Sequence, residues 1–363
     1  METFFSLLKR HVQVSHSLVC VGLDPHPADL PQDTAAAARD FCLRLVEDTV
    51  RYAAAYKPNS AFFERFGAAG WAALKQVVDA IAAESAHTGS VIPVILDAKR
   101  GDIASSAEAY AAAAFQTLGA HALTVSPYLG QDSIAPFLAN PENGIFLLCK
   151  TSNPGAGDVQ DLPLAGGQTL YEHVAQLAKT WNTKGNLGLV VGATQPEALA
   201  RLRALVPTMW FLVPGVGAQG GDLEQALTAG LDAEQLGMLI NVSRSLARAD
   251  NRTKAAAELR DEIEHIRYKL SASPRASRRT LNAEREPLAP AHNPIMMRKI
   301  SMFIIWGVRP RKGAADLLRK IPASISATVL VKPTRNMKLV MMPNVIPAFT
   351  ESLICFFITP SPL

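Results

Sequence analysis

Short apolar runs alternate with longer amphipathic stretches through roughly the first 245 residues. The runs fall at 18–23, 53–56, 91–96, 122–125, 145–149, 187–191, 209–213 and 238–242. Those rich in Val, Ile and Leu are uninterrupted, as expected of strands buried on both faces in a parallel sheet. The intervening segments carry a helical period. In 34–52, Phe41, Leu45 and Thr49 recur at i, i+4, and Asp33 is placed to cap the start. Strands alternating with helices predict parallel βαβ units. Eight such units in about 250 residues predict a closed (β/α)8 TIM barrel, in preference to an open doubly wound sheet.

The polar positions are as regular as the apolar ones. At or just beyond the C-terminal end of the runs stand Asp24, Lys57, Asp97 with Lys99, Ser126, Ser152, Thr194, Gln219 and Arg244. In a parallel barrel those ends form one rim, where such barrels place their chemistry. A polar loop residue by itself is ordinary; its recurrence in nearly every unit is what points to a site.

The pattern ends after a charged helix predicted over 252–270. Residues 271–294 are rich in Pro, Ser, Ala and Arg and read as a linker. Residues 295–363 form a C-terminal extension of unknown structure, with short apolar runs at 302–306 and 353–358, many prolines, and neither period nor motif. The domain expectation is therefore a barrel over 1–270, a linker, and a basic extension. Charge follows the same division. Residues 271–363 hold 14 Lys/Arg against 4 Asp/Glu, whereas 1–270 hold 22 against 28, so the net +4 conceals a mildly acidic body and a basic tail.

Composition narrows the class further. Hydrophobic residues at 48% and charged residues at 19% describe a globular chain with a large core. Cys20, Cys42, Cys149 and Cys355 show no CxxC spacing and read as reduced thiols of a cytoplasmic protein. The first ten residues place their charges after a very short apolar stretch, the reverse of a secretory signal, and predict a short amphipathic helix. No run approaches the ~18 apolar residues a membrane span requires. His121, His173 and His265 lack metal-ligand spacing, and the arginines at 275–279 read as a solvated linker. Neither a metal nor a nucleic-acid partner is expected.

The most informative stretch is Val94-Ile-Leu-Asp97-Ala-Lys99-Arg-Gly-Asp102-Ile103, at a strand end with a helix behind it. A lysine between two carboxylates is held as an ammonium, a poor nucleophile but a well-placed acid for a developing carbanion. A surface ion pair is the alternative meaning of the same residues. Pro214-Gly-Val-Gly-Ala-Gln219-Gly-Gly-Asp222 is glycine-dense after a strand, and its backbone N–H groups could cradle an anion. Arg244, beyond the last strand, gains meaning from that neighbour, since barrel phosphate sites are commonly built from the loops after strands seven and eight.

The Asp97–Asp102 segment resembles the D-x-K-x-x-D signature of the orotidine 5'-phosphate decarboxylase family. With Lys57-Pro-Asn-Ser-Ala-Phe-Phe-Glu64 upstream, it is similar to the bacterial type 2 branch. Further matches are Val21-Gly-Leu-Asp24-Pro25, Thr151-Ser152-Asn-Pro-Gly155, Val191-Gly-Ala-Thr194, the Pro214–Asp222 stretch and Asn241-Val-Ser-Arg244-Ser245, so the resemblance covers about 14–246 and not the tail. It implies conversion of orotidine 5'-phosphate to UMP and CO2, the last step of de novo pyrimidine nucleotide synthesis, without a cofactor.

Carried over residue by residue, the resemblance makes Lys99 the proton donor to C6 and sets Asp97 against the substrate carboxylate. Lys57, Asp97, Lys99 and Asp102 would form an alternating charge network. Asp102, Ile103 and Ser106 would serve the partner's site across a homodimer. Asp24 and Lys57 would hold ribose hydroxyls, Ser152 the pyrimidine amide edge, and Gln219 and Arg244 the phosphate, with Pro214 a further substrate-binding position. Two positions depart from the family's D-I-G-S-T: Ala104 replaces glycine and Ser106 replaces threonine. Serine keeps the hydroxyl, but alanine disfavours φ > 0 where that freedom is used. The same barrel and spacing also resemble metal-dependent relatives such as 3-keto-L-gulonate 6-phosphate decarboxylase and hexulose-phosphate synthase. Those carry an acidic magnesium ligand at the end of the second strand, where this chain has Lys57. A catalytically silent barrel with the tail as an interaction module is the remaining alternative, and the intact charge set speaks against it.

Overall fold

A computed structural model of the chain describes residues 2–217 and 220–272 and two short strands further on. The chain divides into two compact units, Met1–Pro287 and Leu288–Leu363. The first contains eight parallel strands: β1 Val19–Leu23, β2 Ala55–Pro58, β3 Ile95–Arg100, β4 Ala122–Val125, β5 Gly144–Lys150, β6 Leu187–Val191, β7 Phe211–Pro214 and β8 Met238–Val242. Their hydrogen-bonded order runs β2-β1-β8-β7-β6-β5-β4-β3. Bridges between Tyr56 and Val94 and between Asn59 and Asp97 join the two outer members and close the barrel. β1, β6 and β8 are buried along their whole length, which explains why their sequences show no polar alternation.

The helix ahead of the barrel and the one that covers each strand are α1 Phe4–Ser15, α2 Ala35–Thr49, α3 Gly67–Thr88, α4 Ala104–Ala111, the single turn α5 Gln131–Ile134, α6 Leu170–Trp181, α7 Pro196–Leu205, α8 Leu223–Gly230 and α9 Arg252–Ala272, with short helical turns at Ala61–Glu64, Gly157–Gln160 and Arg244–Ala247. Thus α2 to α9 each follow a strand, and α1 precedes the barrel. α1 is the amphipathic N-terminal helix expected from the sequence. Thr3 caps it by accepting the Ser6 N–H, and Phe4, Phe5, Leu8 and Val12 are buried. Phe4 meets Phe146 edge to face and Phe5 stacks on Trp210, while His11 Nε2 lies 3.2 Å from the Ala53 carbonyl. Phe4 N–H and His11 thus bond to Pro141 and Ala53, just ahead of β5 and β2, so α1 closes the N-terminal mouth and leaves the opposite rim open.

Two local expectations are corrected. Thr34, not Asp33, caps α2 by accepting the Ala37 N–H, and Asp33 instead pairs with Arg65. β2 and β3 lie two to four residues further along than the apolar runs, so Lys57, Asp97 and Lys99 sit inside strands rather than beyond them. Apolar runs mark where burial is complete, whereas the backbone ladder continues into the polar rim. α4 passes directly into a π-helical segment, Ala112–Leu118.

In the second unit, β9 Met337–Val340 and β10 Phe357–Pro360 pair antiparallel. Apart from those strands and the last two residues of α9, the expected linker and extension lie outside the described residues.

Candidate active site

One carboxylate organises the rim. Lys57 on β2 donates from Nζ to Asp97 Oδ2 at 2.6 Å, and Lys99 donates to Asp97 Oδ1 at 2.6 Å. The two cations differ in access: the Lys57 side chain is 6% exposed, that of Lys99 51%. Burial alone would drive Lys57 towards neutrality. The Asp97 and Asp24 carboxylates more than reverse this and raise its pKa. Asp97 shows the converse balance: burial favours its acid form, and Lys57 and Lys99 overcome it and hold its pKa well below the usual carboxylate range. The array is a fixed cation–anion–cation line with one solvent-reaching end.

β3 is irregular where it carries this chemistry. Its register with β4 slips between Leu96 and Arg100, and Lys99 adopts φ 47°, a left-handed conformation rare for a side-chain-bearing residue. The amides of Ala98 and Lys99 turn to the Thr124 hydroxyl on β4, at 3.1 and 3.0 Å, and that hydroxyl donates to Asp97 Oδ1 at 3.0 Å. Thr124 is 1% exposed. Its place in the site went unrecognised in the sequence, although it is the lone hydroxyl inside the 122–125 run.

Around this array stand polar groups without protein partners. Asp24 Oδ1, Thr194 Oγ1, Asn241 Oδ1 and Ser243 Oγ are buried and have no hydrogen-bond partner among the described residues. Such groups are costly unless something else satisfies them, as a ligand or water at this rim would. Gly22, paired with Lys57 across β1 and β2, shows why Ser243 fits there: a Cβ at Gly22 would come within 2.7 Å of the Ser243 Cβ. Ser152 follows β5 and packs on Gly192 at the end of β6. Its loop is anchored by Lys150, a buried lysine that sequence patterning overlooked, which donates to both Asp161 oxygens at 2.7 Å.

The residues expected at the phosphate end are partly brought to one place. Pro214 ends β7 opposite Asn241 of β8, so the segments after these strands are neighbours. Gly215, Gly217 and Gly220 take φ of 103°, 70° and 83°, and Val216 bridges to Gly221, so the glycines allow a tight loop closed on itself. Gln219 lies outside the described residues. Arg244 opens the helical turn Arg244–Ala247 directly after β8; it is exposed and has no ion-pair partner among the described residues.

Asp102 does not complete the line within its own chain. Its carboxylate accepts the Ile103 N–H at 2.8 Å and makes no ion pair with Lys99 or Lys57 among the described residues. Only one of the two carboxylates flanking Lys99 in sequence therefore reaches it here. Ile103 is 56% exposed and Ser106 is exposed beside it at the start of α4. Ala104 has φ 47°, so the backbone freedom that glycine would provide is in use and alanine bears the strain.

Barrel and rim together place a fixed charge array at the C-terminal ends of parallel strands, where enzymes of this barrel class carry their active sites. The profile of the Orotidine 5'-phosphate decarboxylase / HUMPS family matches residues 17–259. The chain is 48% identical over 277 residues to orotidine 5'-phosphate decarboxylase of Roseiflexus castenholzii, an alignment covering 75% of this chain and 99% of that one. Among solved structures it is similar to Leishmania donovani OMP decarboxylase, with 55% identity, a TM-score of 0.66, and coverage of 73% of this chain and 99% of that one. Leishmania donovani UMP synthase matches at 56% identity and a TM-score of 0.68 over 74% of this chain, which spans only 57% of that longer protein. The chain belongs to the orotidine 5'-phosphate decarboxylase / HUMPS family, and within it is a carboxy-lyase. No described helix is long and apolar enough to cross a membrane.

Proposed function

We propose that residues 1–270 decarboxylate orotidine 5'-phosphate to UMP and CO2, the closing step of pyrimidine nucleotide synthesis, with Lys99 as proton donor. The observation that carries this reading is the Asp97 carboxylate held between a buried and an accessible ammonium at 2.6 Å each. As the bond from C6 to the carboxylate breaks, its electron pair stays on C6. Lys99 delivers a proton there, forming the C–H bond of UMP, and regains one from solvent.

Asp97, held anionic by both lysines, sits against the substrate carboxylate and favours its departure. Lys57 fixes Asp97 and, with Asp24, takes the ribose hydroxyls. Ser152 meets the pyrimidine amide edge, Pro214 adds a substrate contact, and Gln219 and Arg244 meet the phosphate, where binding energy remote from C6 holds the reacting carbon in place. Preorganised charge of this kind is usually the largest single contribution to an enzyme's rate. Asp102, Ile103 and Ser106 complete the neighbouring site in a homodimer. Three free, buried cysteines, Cys20, Cys42 and Cys149, fit a reducing cytoplasmic setting.

The test is CO2 release from orotidine 5'-phosphate by the purified chain, with and without EDTA. Turnover unaffected by chelator is expected. Turnover abolished by EDTA would point to a metal-dependent sugar-phosphate decarboxylase or aldolase chemistry, and absence of turnover in both arms would reject the decarboxylase reading.

A further inference from the structure

A threonine hydroxyl has one proton to donate and two lone pairs to accept with. At Thr124 all three are committed. The lone pairs take the N–H groups of Ala98 and Lys99, at 3.1 and 3.0 Å, which leaves the proton to point at Asp97 Oδ1, 3.0 Å away. No rotation of the hydroxyl improves on this arrangement, and the side chain is buried. Fully satisfied buried networks of this kind are rigid.

The three contacts meet at the one irregular point of β3. The register slip frees the amides of residues 98 and 99 from the ladder with β4, and the left-handed φ of Lys99 would otherwise be an unsupported strained conformation. Thr124 replaces the lost ladder bonds with a side chain. The same oxygen aims the Asp97 carboxylate, whose Oδ1 also receives the Lys99 ammonium at 2.6 Å. Backbone and side chain of the proton donor are thus both referred to one hydroxyl.

We infer that Thr124 is a positioning residue: its hydroxyl sets the Asp97 carboxylate and the Lys99 backbone so that the Lys99 ammonium stands at the reacting carbon. The inference rests on the decarboxylase reading for its kinetic consequence, but not for its structural one. Thr124 needs no contact with substrate. A valine has its shape without the hydroxyl, and a serine has the hydroxyl without the methyl.

Thr124→Val and Thr124→Ser are compared with the unaltered chain for kcat and KM on orotidine 5'-phosphate, for UMP affinity, and for hydrogen exchange at the Ala98 and Lys99 amides. Thr124→Val is expected to lower kcat about 10- to 100-fold, the scale of a misplacement near one ångström, with KM and UMP affinity changed by less than about threefold because the ligand-binding groups stay in place. Exchange at residues 98 and 99 should rise by about tenfold or more as their acceptor is lost, and Thr124→Ser should restore both kcat and protection. Should Thr124→Val fail to fold, Thr124→Ala carries the same expectation. The inference is overturned if the hydroxyl-free variant keeps kcat within about twofold of the unaltered chain, if serine fails to rescue, or if exchange at 98 and 99 is unchanged. An unaltered chain that releases no CO2 sinks the decarboxylase reading, while the exchange data still decide whether Thr124 holds this backbone.

Discussion

Asp102 follows Lys99 by three residues, yet its carboxylate turns to the Ile103 N–H and forms no ion pair with Lys99 in the same chain. Chain proximity here separates rather than joins the two groups, because β3 ends between them at Arg100 and α4 begins just beyond Asp102. If Asp102 serves the neighbouring subunit, Lys99→Ala and Asp102→Ala chains are each inactive as homodimers. In a mixed dimer both lesions fall in one site and the other site is whole. Mixing under exchange conditions should then restore up to about half the activity of an unaltered dimer, by a two-site count. No recovery, with heterodimer formation confirmed separately, would place Asp102 in its own chain's site.

Lys99→Ala should abolish decarboxylation and leave the fold almost untouched. The side chain is half exposed, and ion pairs of that kind contribute only about 0–1 kcal/mol to stability. Steady-state turnover together with thermal unfolding checks both halves; retention of more than a few per cent of activity would remove Lys99 from the role of proton donor.

Asp97 makes the opposite prediction for stability. Asp97→Asn strips the buried Lys57 ammonium of its charged partner, which should cost about 3–5 kcal/mol near neutral pH. Because the folded state lowers the Asp97 pKa, its contribution is complete above the unfolded value of about 3.9 and is lost as pH falls through the folded one. Lys57, raised in the folded state, contributes fully below about 10.4 and loses that contribution as pH climbs through its folded value. Denaturant unfolding should show the gap between the unaltered chain and Asp97→Asn constant from about pH 5 to 9 and narrowing in stronger acid. A gap independent of pH down to the acid limit would argue against ionised Asp97 as its source.

Arg244→Ala should weaken UMP binding by about 10- to 100-fold, the equivalent of the roughly 1.5–3 kcal/mol carried by a charge-assisted hydrogen bond. Uridine, which lacks the phosphate, should bind as before. Calorimetric titration of both ligands decides the matter, and equal losses would show that Arg244 does not read the phosphate.

The sequence by itself determined the barrel and the identity of its charged residues. Runs such as 122–125, 187–191 and 238–242 coincide with β4, β6 and β8, because strands buried on both faces leave an uninterrupted apolar record. Lys57, Asp97 and Lys99 were legible for a related reason: charge at strand ends is expensive to place at random and stands out against apolar neighbours. What tertiary structure alone decided was which members of the expected network meet within one chain: Asp97 takes both Lys57 and Lys99, and Asp102 takes neither. Asp97 pairs with Lys57, forty residues away, and not with Arg100 nearby, which instead pairs with Glu64. Thr124 enters the site only because a register slip between β3 and β4 turns two amides towards it. A two-residue slip of this kind leaves no periodic trace, since it depends on the local competition between ladder bonds and side-chain bonds. The strained φ at Lys99 is likewise invisible in residue type, because a lysine ordinarily avoids it and only the surrounding packing imposes it, whereas at Ala104 the family's glycine had already pointed to φ > 0.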